Sequence, residues 1–277
     1  MKKYLLIFFI LFFLHACSSK TESKKNKVTL KVCSYNTHYF FKGYTALKRA
    51  ILSLNCDIIA LQEVLQKNKI DYAKKIAKLQ GRFYGASKPY QYMNKKAQWL
   101  LSFISKYPIT SISEKWIGHS RKALKVEVTV SEKTITFVTT HLIPFTWSKG
   151  NLFAANIRRS NMRLIELKNM VNWVGKNKTN TILLGDYNSI PIMGELGILD
   201  KSGYIDVYDK LGISNHGTFP LSSYIYRTAK KYLPVSKVIV FDYIFISKEF
   251  FVKKAYVVKL SASDHYPVIA ELEFLSN

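Results

Sequence analysis

An α/β fold is what this sequence predicts, and three observations carry the prediction. Segments with strand and helix periodicity alternate after residue 27: Val28–Asn36, Tyr44–Asn55, Asp57–Glu63 and Ile70–Gln80. The run Thr181-Ile182-Leu183-Leu184 is apolar at consecutive positions, as in a strand buried on both faces. With 277 residues, 48% hydrophobic and 22% charged, the chain can bury one large core.

The elements follow in order. Val28, Leu30 and Val32 alternate with polar residues, giving a strand that ends in Ser34-Tyr35-Asn36. Leu47, Ile51 and Leu54 share one helical face. Asp57–Glu63 (DIIALQE) is a second strand and ends on a carboxylate. Ala73, Ile76 and Ala77 repeat the helical spacing until Gly81 stops it. Gln98–Ser105, Ala123–Val130 and Thr134–His141 have strand composition, the last two joined by a hairpin at Ser131-Glu132-Lys133. His141 ends that hairpin, and Leu142–Asn151 carries Pro144, Phe145 and Trp147 in a loop where aromatics either touch a substrate or pack the loop down. Phe153–Trp173 is the longest helical stretch, closed by Gly175. Glu195–Asp200 reads as a helical turn and His216–Pro220 as a loop. Val238–Ser247 is a strand with Asp242 at its centre; Phe251–Leu260 and Pro267–Phe274 are two more, joined through Ser263-Asp264-His265-Tyr266. No repeat and no linker follow Lys27, so residues 28–277 are expected to form one domain.

The chemistry gathers at strand ends. Gly185 is expected to turn the chain sharply after the buried strand. Asp186 and Asn188, two residues apart, then project together. Such a carboxylate can take a proton from water or bind a cation, while the amide orients the water. Asp242, inside an apolar strand, needs a partner. Asn36, Glu63, His141, Asp186, Asn188, Asp242, Asp264 and His265 mostly end apolar strands, the edge where layered sheets bind ligands. Carboxylates with an asparagine suit Mg²⁺ or Mn²⁺ better than zinc. Two histidines beside such a cation suit charge on a phosphoryl group. The missing Gly-x-Ser-x-Gly elbow argues against a serine hydrolase, and no phosphate-binding glycine loop is present.

The net charge of +24, from 42 Lys and Arg against 18 Asp and Glu, points to a polyanionic partner, either nucleic acid or an anionic membrane surface. Most of it is lysine, which genome composition alone can also supply. Lys2-Lys3 and the apolar run Tyr4–Leu14 have the layout of a secretory signal, too short to span a bilayer. Leu14-His15-Ala16-Cys17 resembles the bacterial lipobox, although His15 departs from the usual small or apolar residue. Residues 1–17 are therefore expected to be a lipoprotein signal with Cys17 lipidated, and 18–27 a flexible tether. That implies a lipid anchor at the bacterial cell envelope, periplasmic or on the outer surface. At roughly 3.3 Å per residue, Cys33 and Cys56 lie about 10 Å and 23 Å below the strand ends. That is too far apart for a bridge, so both are expected to be buried thiols.

Tyr35-Asn36-Thr37, Leu61-Gln62-Glu63-Val64, Thr140-His141-Leu142, Gly185-Asp186-Tyr187-Asn188, Phe241-Asp242-Tyr243-Ile244 and Ser263-Asp264-His265-Tyr266-Pro267 occur in this order. Together they resemble the endonuclease/exonuclease/phosphatase superfamily of deoxyribonuclease-I-like enzymes, over nearly all of Val28–Phe274. The resemblance implies a four-layer α-β-β-α sandwich, two mixed sheets face to face with helices outside. It implies metal ligation by Glu63, with Asn36 and Asp264 completing the metal and water shell. It further implies that Asp186 activates the water that Asn188 orients, that His265 held by Asp242 binds the phosphate, and that His141 holds a phosphoryl oxygen or assists the leaving group. The region Gly85–Trp99 departs from the family pattern and leaves His141 without an identified partner. The expected function is Mg²⁺-dependent phosphodiester hydrolysis by a monomer, with DNA or RNA as the leading substrate. Phospholipid head groups, favoured by the anchor and by Phe145 and Trp147, are the alternative, followed by a non-catalytic polyanion-binding role.

Overall fold

The computed structural model describes residues 26–94, 97–146, 152–176, 178–214, 216–231 and 236–276. The expected signal with Cys17, nearly all of the tether, and Trp147 lie outside them. The main elements are β1 (Lys27–Asn36), α1 (Tyr44–Leu54), β2 (Ile58–Lys67), α2 (Tyr72–Leu79) and β3 (Ala97–Ser105). Next come β4 (Ile109–Trp116), β5 (Lys122–Val130), β6 (Lys133–His141), α3 (Leu152–Val174) and β7 (Thr181–Asp186). β8 (Asp242–Ile246), β9 (Phe251–Val257) and β10 (Val268–Leu275) close the chain.

Two mixed sheets form. The first runs β9–β10–β1–β2–β3 and ends on the short strand Phe83–Ala86; the second begins with Ile205–Asp206 and runs β8–β7–β6–β5–β4. The alternation of side chains along each strand explains the layers. Leu30, Val32, Phe103, Phe137, Leu184 and Ile244 point into the core between the sheets. Cys33, Ile59 and Ile104 point the other way, under Leu47 and Ile51 of α1 and Ile76 of α2. Val138, Leu183 and Phe245 meet Leu167 and Met170 of α3 on the opposite outer face. Strands covered on both faces must be apolar at every position, which is why they read as continuous runs. The four-layer α-β-β-α sandwich is the fold.

In each sheet one central pair is parallel, β1 with β2 and β6 with β7. Asn36, Glu63, His141 and Asp186 stand where the two parallel pairings end. The expected edge of strand ends is thus built from two parallel pairs.

Several local expectations need correction. β2 does not stop at Glu63. It bulges there, with Glu63 at φ 51° and a register shift between Leu61 and Val64, and runs on to Lys67. Gly185 makes no turn: it lies inside β7, where a Cβ would sit 2.3 Å from the Thr140 carbonyl oxygen. Asp242 is at the start of β8, not mid-strand, because the chain breaks pairing between Ile239 and Asp242. β4 escaped the sequence reading because it is an edge strand with no buried residue and a largely polar sequence (ITSISEKW). Cys33 and Cys56 are buried free thiols, as expected. Burial pushes the Cys33 thiol well above its ordinary range, and the Cys56 thiol donates to the Leu54 carbonyl at 3.4 Å. Cys56 belongs to the turn before β2 and not to the strand.

Candidate active site

The bulge in β2 aims Glu63 across the strand ends. Asn36, at the end of β1, is fixed by its own backbone neighbourhood: the His38 amide donates to Asn36 Oδ1 at 2.9 Å. That leaves Nδ2 to face the site, where it donates to Glu63 Oε1 at 3.2 Å and Asp186 Oδ2 at 2.9 Å. Asn36 therefore ties the two sheets together, one amide hydrogen to each carboxylate.

Asp186 is 1% exposed and sits where the parallel and antiparallel partners of β7 meet, opposite His141 and Asp242. Its Oδ1 accepts the Asn188 amide at 2.9 Å. Asn188 adopts φ 49° and donates Nδ2 to the Leu142 carbonyl at 3.1 Å, leaving its Oδ1 to accept from water. Burial, reinforced by Asp242, lifts the Asp186 carboxyl to about 7 against the opposing pull of His265, Asn36 and the Asn188 amide. A carboxylate poised there is suited to general-base work.

The two histidines differ in charge. His265 hydrogen-bonds through Nδ1 to Asp242 Oδ2 at 2.8 Å, and its Nε2 lies 3.7 Å from Asp186 Oδ2. Burial opposes its charged form, but Asp242, Asp186 and Asp264 outweigh that and hold it at about 10. Phe219 packs its edge at 4.8 Å between centroids, fixing the ring. His141 reaches Glu63 Oε1 at 3.5 Å and Asp186 Oδ2 at 3.6 Å through Nε2. Its Nδ1 lies 3.5 Å from Arg121 Nη1. Arginine only donates, so Nδ1 is the acceptor and Nε2 carries the hydrogen. Burial, then Arg121 and His265, push His141 well below its ordinary range. It is a neutral donor beside a charged one.

Arg121 is the partner of His141 that the sequence reading missed; a lone arginine at the start of a strand carries no pattern that marks it. His38 was missed too. Its Nδ1 stands 3.1 Å from Asp264 Oδ1, and His38 and His265 outweigh burial to keep that carboxylate below its ordinary range. All eight predicted site residues converge on one end of the sandwich. Phe145 does not join them as a surface group: it is 5% exposed and packs on Phe241.

A hard divalent cation fits this donor set. Among the described residues Glu63 Oε2 is buried without a hydrogen-bond partner, and burial raises its carboxyl despite the Asn36 contact and the nearby histidines. Such an orphaned oxygen wants a positive partner. Asp264, on the adjoining loop, adds a second carboxylate, fixed by His38 Nδ1 and the Ser263 hydroxyl. Asp186, Asp242 and His265 also present ligand atoms within 4.8 Å of one another, but the Nδ1 of His265 is already engaged by Asp242.

Fold and site are of the class found in hydrolases of phosphoester bonds, enzymes that usually use a divalent metal. The chain belongs to the endonuclease/exonuclease/phosphatase family, whose model matches residues 33–265. No curated protein sequence matches it. Solved structures share its fold. An endonuclease/exonuclease/phosphatase family protein from Leptotrichia buccalis aligns with TM-score 0.67 at 20% identity, over 88% of this chain and 100% of that one. D. rerio TDP2 complexed with a single-strand DNA product aligns with TM-score 0.60 at 17% identity, over 88% and 98%. The mannosyl-6-phosphatase Bt3783 of Bacteroides thetaiotaomicron aligns with TM-score 0.60 at 19% identity, over 88% and 99%.

Proposed function

We propose that this chain is a Mg²⁺- or Mn²⁺-dependent phosphodiesterase that cleaves DNA or RNA, anchored at a bacterial cell envelope through Cys17. The observation that carries the reading is the convergence on Asp186. One carboxylate poised near about 7 lies within 3.6 to 3.7 Å of a neutral and a charged histidine, beside Glu63 with a free buried oxygen.

Glu63 and Asp264 would hold the cation, which would supply Lewis-acid stabilisation of phosphoryl charge. Asp186 takes the proton of the attacking water, which Asn188 Oδ1 orients. His265, kept protonated by Asp242, donates Nε2–H to a phosphoryl oxygen. His141 donates Nε2–H to an oxygen on the other side, while the two Nδ2 hydrogens of Asn36 hold Glu63 and Asp186 in place. Donors fixed before the substrate arrives stabilise charge without reorganising.

Two features favour a polymeric or soluble substrate over a lipid head group. Phe145 is packed away and cannot insert into a bilayer. Lys27, where the tether joins, starts the strand that Asn36 ends, so at about 3.3 Å per residue the anchor leaves roughly 30 Å from the site. A screen of the purified domain across DNA, RNA, sphingomyelin and phosphomonoesters, with and without chelator, tests the reading. Chelator-sensitive cleavage of nucleic acid supports it; turnover of sphingomyelin or monoesters alone rejects it.

A further inference from the structure

Beside the site the chain makes an unusual turn. His38, Tyr39 and Phe40 all have positive φ, at 44°, 39° and 59°, and none is glycine. L-residues avoid this region, and consecutive outliers survive only where the surroundings impose them. Here they do. Thr37 donates its hydroxyl to the Gln62 and Glu63 carbonyls, both at 2.9 Å, which ties the turn to the β2 bulge. His38 is held by Asn36 through its amide and by Asp264 through its ring, while Phe40 is buried against Tyr44 and Tyr72.

This strained turn places one ring with unusual care. Tyr39 lies flat on Trp99, with centroids 5.1 Å apart and planes 6° from parallel. Its hydroxyl meets His38 Nε2 at 2.7 Å, so the Tyr39 ring is linked through His38 to the Asp264 carboxylate. Trp99 comes from β3, opposite Leu65, on the part of the β2–β3 ladder that continues past the Glu63 bulge. Both rings are half-buried, and Trp99 Nε1 has no hydrogen-bond acceptor among the described residues. A stack made only for stability would be buried.

We propose that Tyr39 and Trp99 form a stacking platform for a planar ring, a nucleobase, on the nucleotide next to the scissile phosphate. The proposal rests on the nucleic-acid reading above and names what its substrate brings beyond phosphate. Stacking is tolerant of base identity because every base has a π-face, and truncating one platform residue costs about 5- to 150-fold in affinity. Preference for base-bearing over bare backbone is therefore its signature.

The test compares binding, in chelator, of a single-stranded oligonucleotide and of the same backbone with abasic sites, to the wild-type domain and to Trp99→Leu, Trp99→Phe and Tyr39→Ala. Trp99→Leu keeps most of the bulk and removes the π-face, so it remains informative if an alanine variant fails to fold. The wild type should prefer the base-bearing strand at least fivefold. Trp99→Leu and Tyr39→Ala should erase that preference, with a much smaller loss on the abasic strand, and Trp99→Phe should retain most of it. No preference in the wild type, or an unchanged preference in Trp99→Leu, overturns the platform. So does sphingomyelin-vesicle binding that Trp99→Leu abolishes while base preference is absent. Cleavage is measured separately with Mg²⁺: cleavage without base preference rejects the platform and leaves the hydrolase, whereas base preference without cleavage rejects the hydrolase and leaves the platform.

Discussion

Nδ1 of His265 lies 2.8 Å from Oδ2 of Asp242, and Asp242 stands directly opposite Asp186 in the β7–β8 ladder. Two groups with opposite needs are thereby coupled. Asp186 must be ionised to accept a proton and titrates at about 7; His265 must stay protonated and titrates at about 10. Activity should rise as pH passes the first value and fall as it passes the second. A cation beside Glu63 favours the ionised carboxylate and moves the acid limb lower. Asp242→Asn removes the charge that supports the imidazolium, so the alkaline limb should move to lower pH. The pH profile of kcat/KM for both proteins decides it, and an unmoved alkaline limb would rule out the pairing.

Gly185 is held to its identity by space. A methyl group there would sit 2.3 Å from the Thr140 carbonyl oxygen, within a ladder that cannot part without moving Asp186 or His141. Gly185→Ala should destabilise by about 1–3 kcal/mol, the usual cost of overpacking. A urea midpoint identical to wild type would contradict this.

Arg163 and Glu195 form a buried pair at 2.6 Å, 0% and 1% exposed, under the loop that follows His141. Arg163 also faces the Phe145 ring at 5.8 Å and donates to the Ile143 carbonyl. Arg163→Ala strands a buried carboxylate, and breaking such a pair costs about 3–5 kcal/mol. Equilibrium unfolding should show a loss of that order.

The α/β alternation and the eight site residues were legible as local pattern, whereas the four layers followed from the resemblance that the six ordered motifs carry. Strands covered on two faces are apolar at consecutive positions, and each ends in a polar residue that the register then brings to one edge. What was hidden depends on three-dimensional approach. The Glu63 bulge leaves no mark on a run such as DIIALQE, which reads the same whether or not the ladder slips. Gly185 reads as a turn but answers to the backbone of Thr140, in a strand 45 residues earlier. Arg121 and His141 meet only because β5 and β6 are hairpin neighbours, and no spacing rule pairs an arginine with a histidine. Solvated strands such as β4 carry too little hydrophobic signal to be seen.

The anchor and the substrate have their own checks. Cys17→Ser should move the protein out of the detergent phase or block its processing; unchanged partitioning would remove the lipid anchor. Binding to single-stranded nucleic acid should weaken with salt at a slope of about −0.7 per phosphate contact. Binding that ignores salt would count against a lysine-tracked phosphate backbone.

Central to the account is Asp186 acting as base beside a cation held by Glu63. The direct measurement is the single-turnover cleavage rate of an oligonucleotide by wild type and by Asp186→Asn, each in chelator and after Mg²⁺ is restored, with folding checked by circular dichroism. Wild type should be silent in chelator and recover with Mg²⁺. Asp186→Asn should fold normally and cleave about 10²–10⁴-fold more slowly at saturating Mg²⁺, the span typical of a lost general base. Cleavage that persists in chelator, or a folded Asp186→Asn that cleaves at the wild-type rate, would contradict it.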